Sequence, residues 1–204
     1  VCSSDLKIFA LKNLKELSFI QNTSINSLTS NYIYPRTNQF RKLSIKWKWI
    51  SDTDFKFLSI VISKSKKLEE FSSSAAPFSV NKTITFNKLF QSLRSCRLRK
   101  LEISFIGIYT SMTSTWNYLD GLSALTSLEI IHFKDLCLSI MSIVKDVLQQ
   151  MKSLSKLQEL KLSAWSHFKP SEKTSQKWKG PEFQIKTLKT LDLYNLNIDI
   201  NKTL

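Results

Sequence analysis

Glycine is scarce in this chain, three residues in 204 at positions 107, 121 and 180, which leaves no glycine-rich loop to cradle a phosphate. Cysteine is as rare. Cys2, Cys96 and Cys137 are odd in number, far apart and without a C-x-x-C pair, so they frame neither a disulfide network nor a zinc site. Small buried apolar roles are expected for Cys96 and Cys137 instead. There are two histidines, His132 and His167, and neither is set by the sequence beside a Ser or Cys nucleophile with an orienting carboxylate. The expectation is therefore a non-enzyme that needs no metal or cofactor. No apolar run approaches the ~20 residues that span a bilayer, and no initiator Met or leader-like segment opens the chain. It reads as a segment of a longer protein, with reduced thiols, in the cytoplasm or nucleus. Acidic residues are also in short supply, 16 against 30 Lys and Arg, for a net charge of +14. Such an excess draws phosphates, acidic lipids or acidic protein surfaces.

What the chain does have is hydrophobic content, 42%, arranged in a repeat. "LKNLKELSFIQN" (11–22) fits L-x-x-L-x-L-x-x-N through Leu14, Leu17, Phe19 and Asn22. The apolar anchors recur as Phe40-Leu43-Ile45, Leu68-Phe71-Ser73, Leu98-Leu101-Ile103, Leu125-Leu128-Ile130, Leu157-Leu160-Leu162 and Leu188-Leu191-Leu193. Seven copies start near 14, 40, 68, 98, 125, 157 and 188, with spacings of 26, 28, 30, 27, 32 and 31. Ser73 is the weakest anchor.

Within each copy the anchors alternate with polar residues, the period of a strand with one buried face. Between copies the period becomes helical. Phe55, Leu58, Val61 and Ile62 share one face, with Ser51 and Asp54 as a capping box. Phe86, Leu89, Phe90 and Leu93 repeat the design, as do Ile140, Ile143, Val144, Val147, Leu148 and Met151. Trp116, Leu119 and Leu122 give a shorter version that Gly121 weakens by roughly 1 kcal/mol relative to Ala. Residues 23–39 and 165–187, with Pro35, Pro170, Gly180 and Pro181, read as loops.

A strand and a helix repeated at this length resemble the leucine-rich repeat family, in its ribonuclease-inhibitor-like branch, which includes the repeat domains of F-box proteins. The resemblance spans residues 11–200 and implies an α/β fold: a single domain over 1–204, a right-handed solenoid bent into a horseshoe arc, with a concave parallel sheet and convex helices. Stacking is physically required, because one unit cannot bury its own apolar faces. The chain departs from the family at the Asn position, held after the first copy by Lys48, Ala76, Ile106, Phe133, Trp165 and Leu196. As the end of a strand template, Asn22 is read as an internal hydrogen-bonding residue and not as a glycan acceptor. Asn81 and Asn201, which open similar acceptor triplets, are read as unmodified.

Alternation places 21 side chains on the concave face, six acidic and four basic by this register. Mixed charge suits a protein partner better than a phosphate backbone, which asks for clustered Lys and Arg. Candidate partner-binding residues there are Ser18, Lys46, Lys100, Glu102, Glu129, Ile131, Lys161, Asp192 and Tyr194. The expected function is protein–protein interaction through this face and the adjoining loops, and the resemblance implies substrate recognition in an F-box-type ubiquitin ligase adaptor. An alternative is nucleic-acid or acidic-membrane binding through basic convex and loop surfaces, with Lys169, Lys173, Lys177 and Lys179 as anion-binding candidates. "IKWKWI" (45–50) interleaves lysine and tryptophan, which suits base stacking or, more simply, a strand end with solvated lysines. A third reading is a passive scaffold within a larger receptor or kinase.

Overall fold

The computed structural model describes residues 15–21, 40–47, 52–75, 82–104, 121–136, 148–164 and 185–194. Seven strands form one parallel sheet in sequence order: β1 (Glu16–Gln21), β2 (Lys42–Trp47), β3 (Glu70–Ala75), β4 (Lys100–Ser104), β5 (Ile130–Leu136), β6 (Glu159–Ala164) and β7 (Thr190–Tyr194). Helix α1 (Asp52–Lys64) joins β2 to β3, and α2 (Lys82–Leu93) joins β3 to β4 and packs against α1. A 3-10 turn, Leu122–Ala124, precedes β5, and residues 148–151 are helical before β6. The fold is thus α/β with every described strand parallel to its sequence neighbour.

The strands alternate as their sequences require. Leu43, Phe71, Leu101, Ile131 and Leu160 form one buried row, and Ile45, Ile103, Phe133 and Leu162 form a second. Ser73, between Ile45 and Ile103 in that second row, is half-buried. Leu58, Val61 and Ile62 of α1 and Leu89, Phe90 and Leu93 of α2 belong to the same core cluster as the strand rows, and so do Leu148 and Met151. The apolar helix faces therefore lie where the 3.6-residue period puts them. Ser51, the side chains of Phe55 and Phe86, and residues 137–147 lie outside what is described.

Neighbouring strands are stitched together just before each strand begins. The carbonyl of Lys15 accepts the amides of Arg41 and Lys42 at 2.8 and 3.2 Å, and that of Arg41 accepts Glu69 and Glu70, both at 2.8 Å. The same fork passes through Glu69, Arg99, Glu129 and Gln158 to Lys189 and Thr190. Pairing in both directions satisfies backbone groups that would otherwise be orphaned at the strand entries.

This ladder corrects the register of the fifth repeat. Leu101 pairs with Ile131 and Ile103 with Phe133, so the anchors are Leu128-Ile131-Phe133 and the repeat starts at 128, not 125. Leu125 is buried one turn earlier, where its carbonyl accepts the Leu128 amide at 3.0 Å. Phe133, at the Asn position in the sequence reading, is a core residue.

Gly121 is also reassigned. It precedes the 3-10 turn with φ −78° and ψ −9°, an ordinary right-handed conformation, so flexibility is not its reason for being there. A Cβ at this position would lie 2.6 Å from Phe90 Cβ. The close approach of the 121 turn to α2 requires a residue without a side chain.

Candidate functional site

The exposed face of the sheet is read off in three rows. The first runs Glu16, Lys42, Glu70, Lys100, Ile130, Glu159 and Thr190. Its third-position counterpart runs Ser18, Ser44, Ser72, Glu102, His132, Lys161 and Asp192. By position, the fifth row carries Ile20, Lys46, Ser74, Ser104, Lys134, Ser163 and Tyr194, although Ser104 is buried and the β5–β6 register shifts after Phe133, so Lys134 and Ser163 are not ladder partners. These 21 positions hold five acidic and five basic residues. The face is balanced, and the whole excess of +14 lies elsewhere in the chain.

The two halves of the face differ. Over β1–β3 the middle row is serine, and Ser72 Oγ donates to Ser44 Oγ at 2.8 Å. Over β4–β7 it is charged and centred on His132. Nε2 of that ring lies 2.7 Å from Glu159 Oε1, and Nδ1 lies 3.8 Å from Glu102 Oε2. With the carboxylate as acceptor, Nε2 carries the hydrogen of the shorter contact. Lys134 Nζ donates to Glu102 Oε1 at 2.5 Å, Lys161 Nζ donates to Glu159 Oε1 at 2.8 Å, and Lys100 Nζ lies 3.8 Å from Glu102 Oε2.

Register explains how these residues meet. Parallel strands about 4.8 Å apart bring equivalent positions within reach of one another's side chains, and here carboxylate, imidazole and ammonium follow in successive strands. Burial works to raise the Glu102 carboxyl, but the Lys134 hydrogen bond and the charges of Lys134, Lys100 and His132 outweigh it and hold the group below its ordinary range. Glu159 is held low by its hydrogen bonds to Lys161 and His132. In turn, Glu159, followed by the charge of Asp192, raises Lys161. No group of three or more His, Cys, Asp or Glu among the described residues is arranged for a metal ion. The geometry agrees, since the two imidazole nitrogens of His132 face different carboxylates, each already met by a lysine.

Of the candidate partner-binding residues, Ser18, Lys46, Lys100, Glu102, Lys161, Asp192 and Tyr194 are on this face. Ile131 is not. It is 0% exposed in the core, and Ile130 takes the outward position. Glu129 also leaves the face. It stands one residue before β5, where its carboxylate accepts two bonds from Arg99, Nε at 3.0 Å and Nη2 at 2.8 Å, and it is held low mainly by that pairing. His132 and Lys134 replace them, and the sequence reading missed both. Their signal was the polar-apolar alternation of "IIHFKDL", which matches "KLEIS" only in the corrected register.

Cys96 is a buried thiol, raised by that burial, with Sγ 3.5 Å from the carbonyls of Ile62 and Ser65 at the end of α1. Cys2, Cys137, His167, Asn22, Asn81, Asn201 and the Lys169, Lys173, Lys177 and Lys179 loop lie outside the described residues. No helix among those described is long and apolar enough to cross a membrane. No family model, curated protein or solved structure matches the chain.

Proposed function

We propose that the chain is a leucine-rich repeat solenoid of strand-helix coils that binds a protein partner through the exposed face of β4–β7. The repeat reading is supported by seven parallel strands in sequence order, in continuous register except for a shift between β5 and β6 after Phe133, and by corrected repeat starts at 14, 40, 68, 98, 128, 157 and 188. The resulting spacings of 30 and 29 on either side of residue 128 replace the uneven 27 and 32.

The protein-binding reading rests on one observation: the face is charged on both signs, locally neutralised and bordered by Tyr194, which is 65% exposed. A patterned, neutral face offers specificity to a surface of complementary pattern, whereas a polyanion would meet as much repulsion as attraction there. Asp192 and Tyr194 stand at the open edge of the pattern. Exposed tyrosine supplies contact area at a low entropic cost and is enriched at interface hot spots.

The test is affinity capture and cross-linking with the intact chain, compared across Glu102→Lys, Lys161→Glu and Tyr194→Ala. Loss of the same captured protein in all three, with retention in Glu129→Gln, supports the proposal. Capture that ignores the three face variants, or that depends equally on Glu129, overturns it.

A further inference from the structure

Eight of the cations that the sheet face does not use stand along one edge of the sheet. β3 to β7 are entered by short i to i+3 turns, as where Leu68 N donates to Ser65 O at 2.9 Å and Leu157 N to Leu154 O at 3.1 Å. The turn segments 63–67, 94–97, 123–127, 152–156 and 186–187 contain no Asp or Glu. Lys66 and Lys67 precede β3, and Arg94 and Arg97 precede β4. Lys152 and Lys156 precede β6, and Lys186 and Lys189 precede β7. All eight are exposed and none has an ion-pair partner among the described residues. The acids nearest this edge, Glu69 and Glu129, are already engaged by Arg41 and Arg99.

We propose that this edge is a docking ridge for the phosphodiester backbone of a nucleic acid. It is independent of the protein-binding reading of the sheet face. The cations stand at the entries to β3, β4, β6 and β7, with none in the 123–127 turn before β5, and each step across the sheet is about 4.8 Å, so the two groups together span about 19 Å from β3 to β7. A linear polyanion satisfies such a row without a matching pattern, because its charge is uniform along its length. An acidic protein would have to offer carboxylates in the same spacing. A membrane is disfavoured by what fills the turns: their outward residues are Ser, Thr, Ala, Lys and Arg, while Leu125 and Leu154 point into the core and leave no apolar side chain to insert.

The ridge has a concave seat at its β7 end. A depression of about 430 Å³ lies between the entries to β6 and β7, lined in part by Lys156, Lys186, Lys189 and Ser155 and also by Glu129, whose carboxylate is bonded by Arg99. Three ammonium groups and a hydroxyl give donors suited to a phosphate. Described aromatic side chains are absent from the turns, so the contact reads backbone charge and not base identity.

The experiment uses the whole chain with a labelled mixed-sequence oligonucleotide, as single strand and as duplex, followed by fluorescence anisotropy from about 50 to about 200 mM salt. Binding is expected to weaken steeply with salt. Lys186→Gln/Lys189→Gln should lower affinity roughly tenfold and reduce the log–log salt slope by about 1.8 on duplex, or about 1.4 on single strand. Lys88→Glu on α2 changes the net charge by the same amount away from the ridge and should leave the slope unchanged. Lys66→Gln/Lys67→Gln gives an independent arm should the first pair fail to fold by circular dichroism. No binding at the lowest salt, or equal losses for Lys88→Glu and the ridge variants, overturns the proposal. Binding to phosphatidylserine vesicles or polyglutamate without the oligonucleotides overturns it too.

Discussion

Gly121 and Ser59 show how single positions are decided by neighbours that lie far away in sequence. The Gly121 backbone is one that any residue adopts, so the usual gain from replacing glycine by alanine would be expected there. The Phe90 Cβ at 2.6 Å reverses the sign, because that atom is anchored to the α2 backbone and cannot swing aside. Gly121→Ala should therefore destabilise the protein by roughly 1–3 kcal/mol, read from urea or thermal unfolding. An unchanged midpoint would mean that the turn yields freely. Ser59 is the opposite case. Its Oγ is buried in α1 and unpaired among the described residues. Ser59→Ala removes that unmet hydroxyl and improves helix propensity, so stability should rise by about 1 kcal/mol in the same assay. A loss of stability would show that the hydroxyl does have a partner.

At the scale of elements, β5 carries the main lesson about what a sequence reveals. The strand pattern, the helical faces of α1 and α2 and six of the seven anchor triplets were legible because apolar spacing alone sets which face is buried. Two overlapping templates compete at "LTSLEIIHF". Leu125-Leu128-Ile130 and Leu128-Ile131-Phe133 both satisfy L-x-x-L-x-L, and the adjacent Ile130 and Ile131 erase the alternation that would separate them. Even spacing of repeats favours the second and was available in the sequence. The charged centre of the face was lost with the register, since a slip that swaps Ile130 for Ile131 hides His132 inside. A pair of variants separates the registers. Ile131→Ala should cost about 2–5 kcal/mol as a large-to-small change in a packed core, and Ile130→Ala under about 1 kcal/mol. Equal effects, or the reverse order, would contradict the pairing of β4 with β5. β7 differs for another reason. Leu191 occupies a core row yet is 41% exposed, because β7 is the edge strand and among the described residues no further element covers it.

Across the described residues, charge is sorted by location: balanced on the sheet face and of one sign, basic, in the turns that enter β3, β4, β6 and β7. Sorting of this kind couples stability to pH through carboxylates at β4, at the entry to β5 and at β6. Glu102, Glu129 and Glu159 are all held below the ordinary carboxylate range in the folded protein, by Lys134, Arg99, Lys161 and His132. In the unfolded chain their pKa returns to about 4.3. Near that pH the unfolded state binds more protons, so stability rises with pH there. The stabilisation is complete above the unfolded value and is lost as pH falls through the folded ones. As their side chains are partly exposed, each contributes little alone and salt reduces it. The melting temperature should fall as pH drops below about 4.3, more steeply in low salt than in high. Glu129→Gln/Glu159→Gln should melt lower than the parent at neutral pH and converge with it in acid, since protonation makes the parent resemble the variant. Parallel curves for parent and variant across that range would show that these pairs add nothing, and that the acid sensitivity of the fold has another origin.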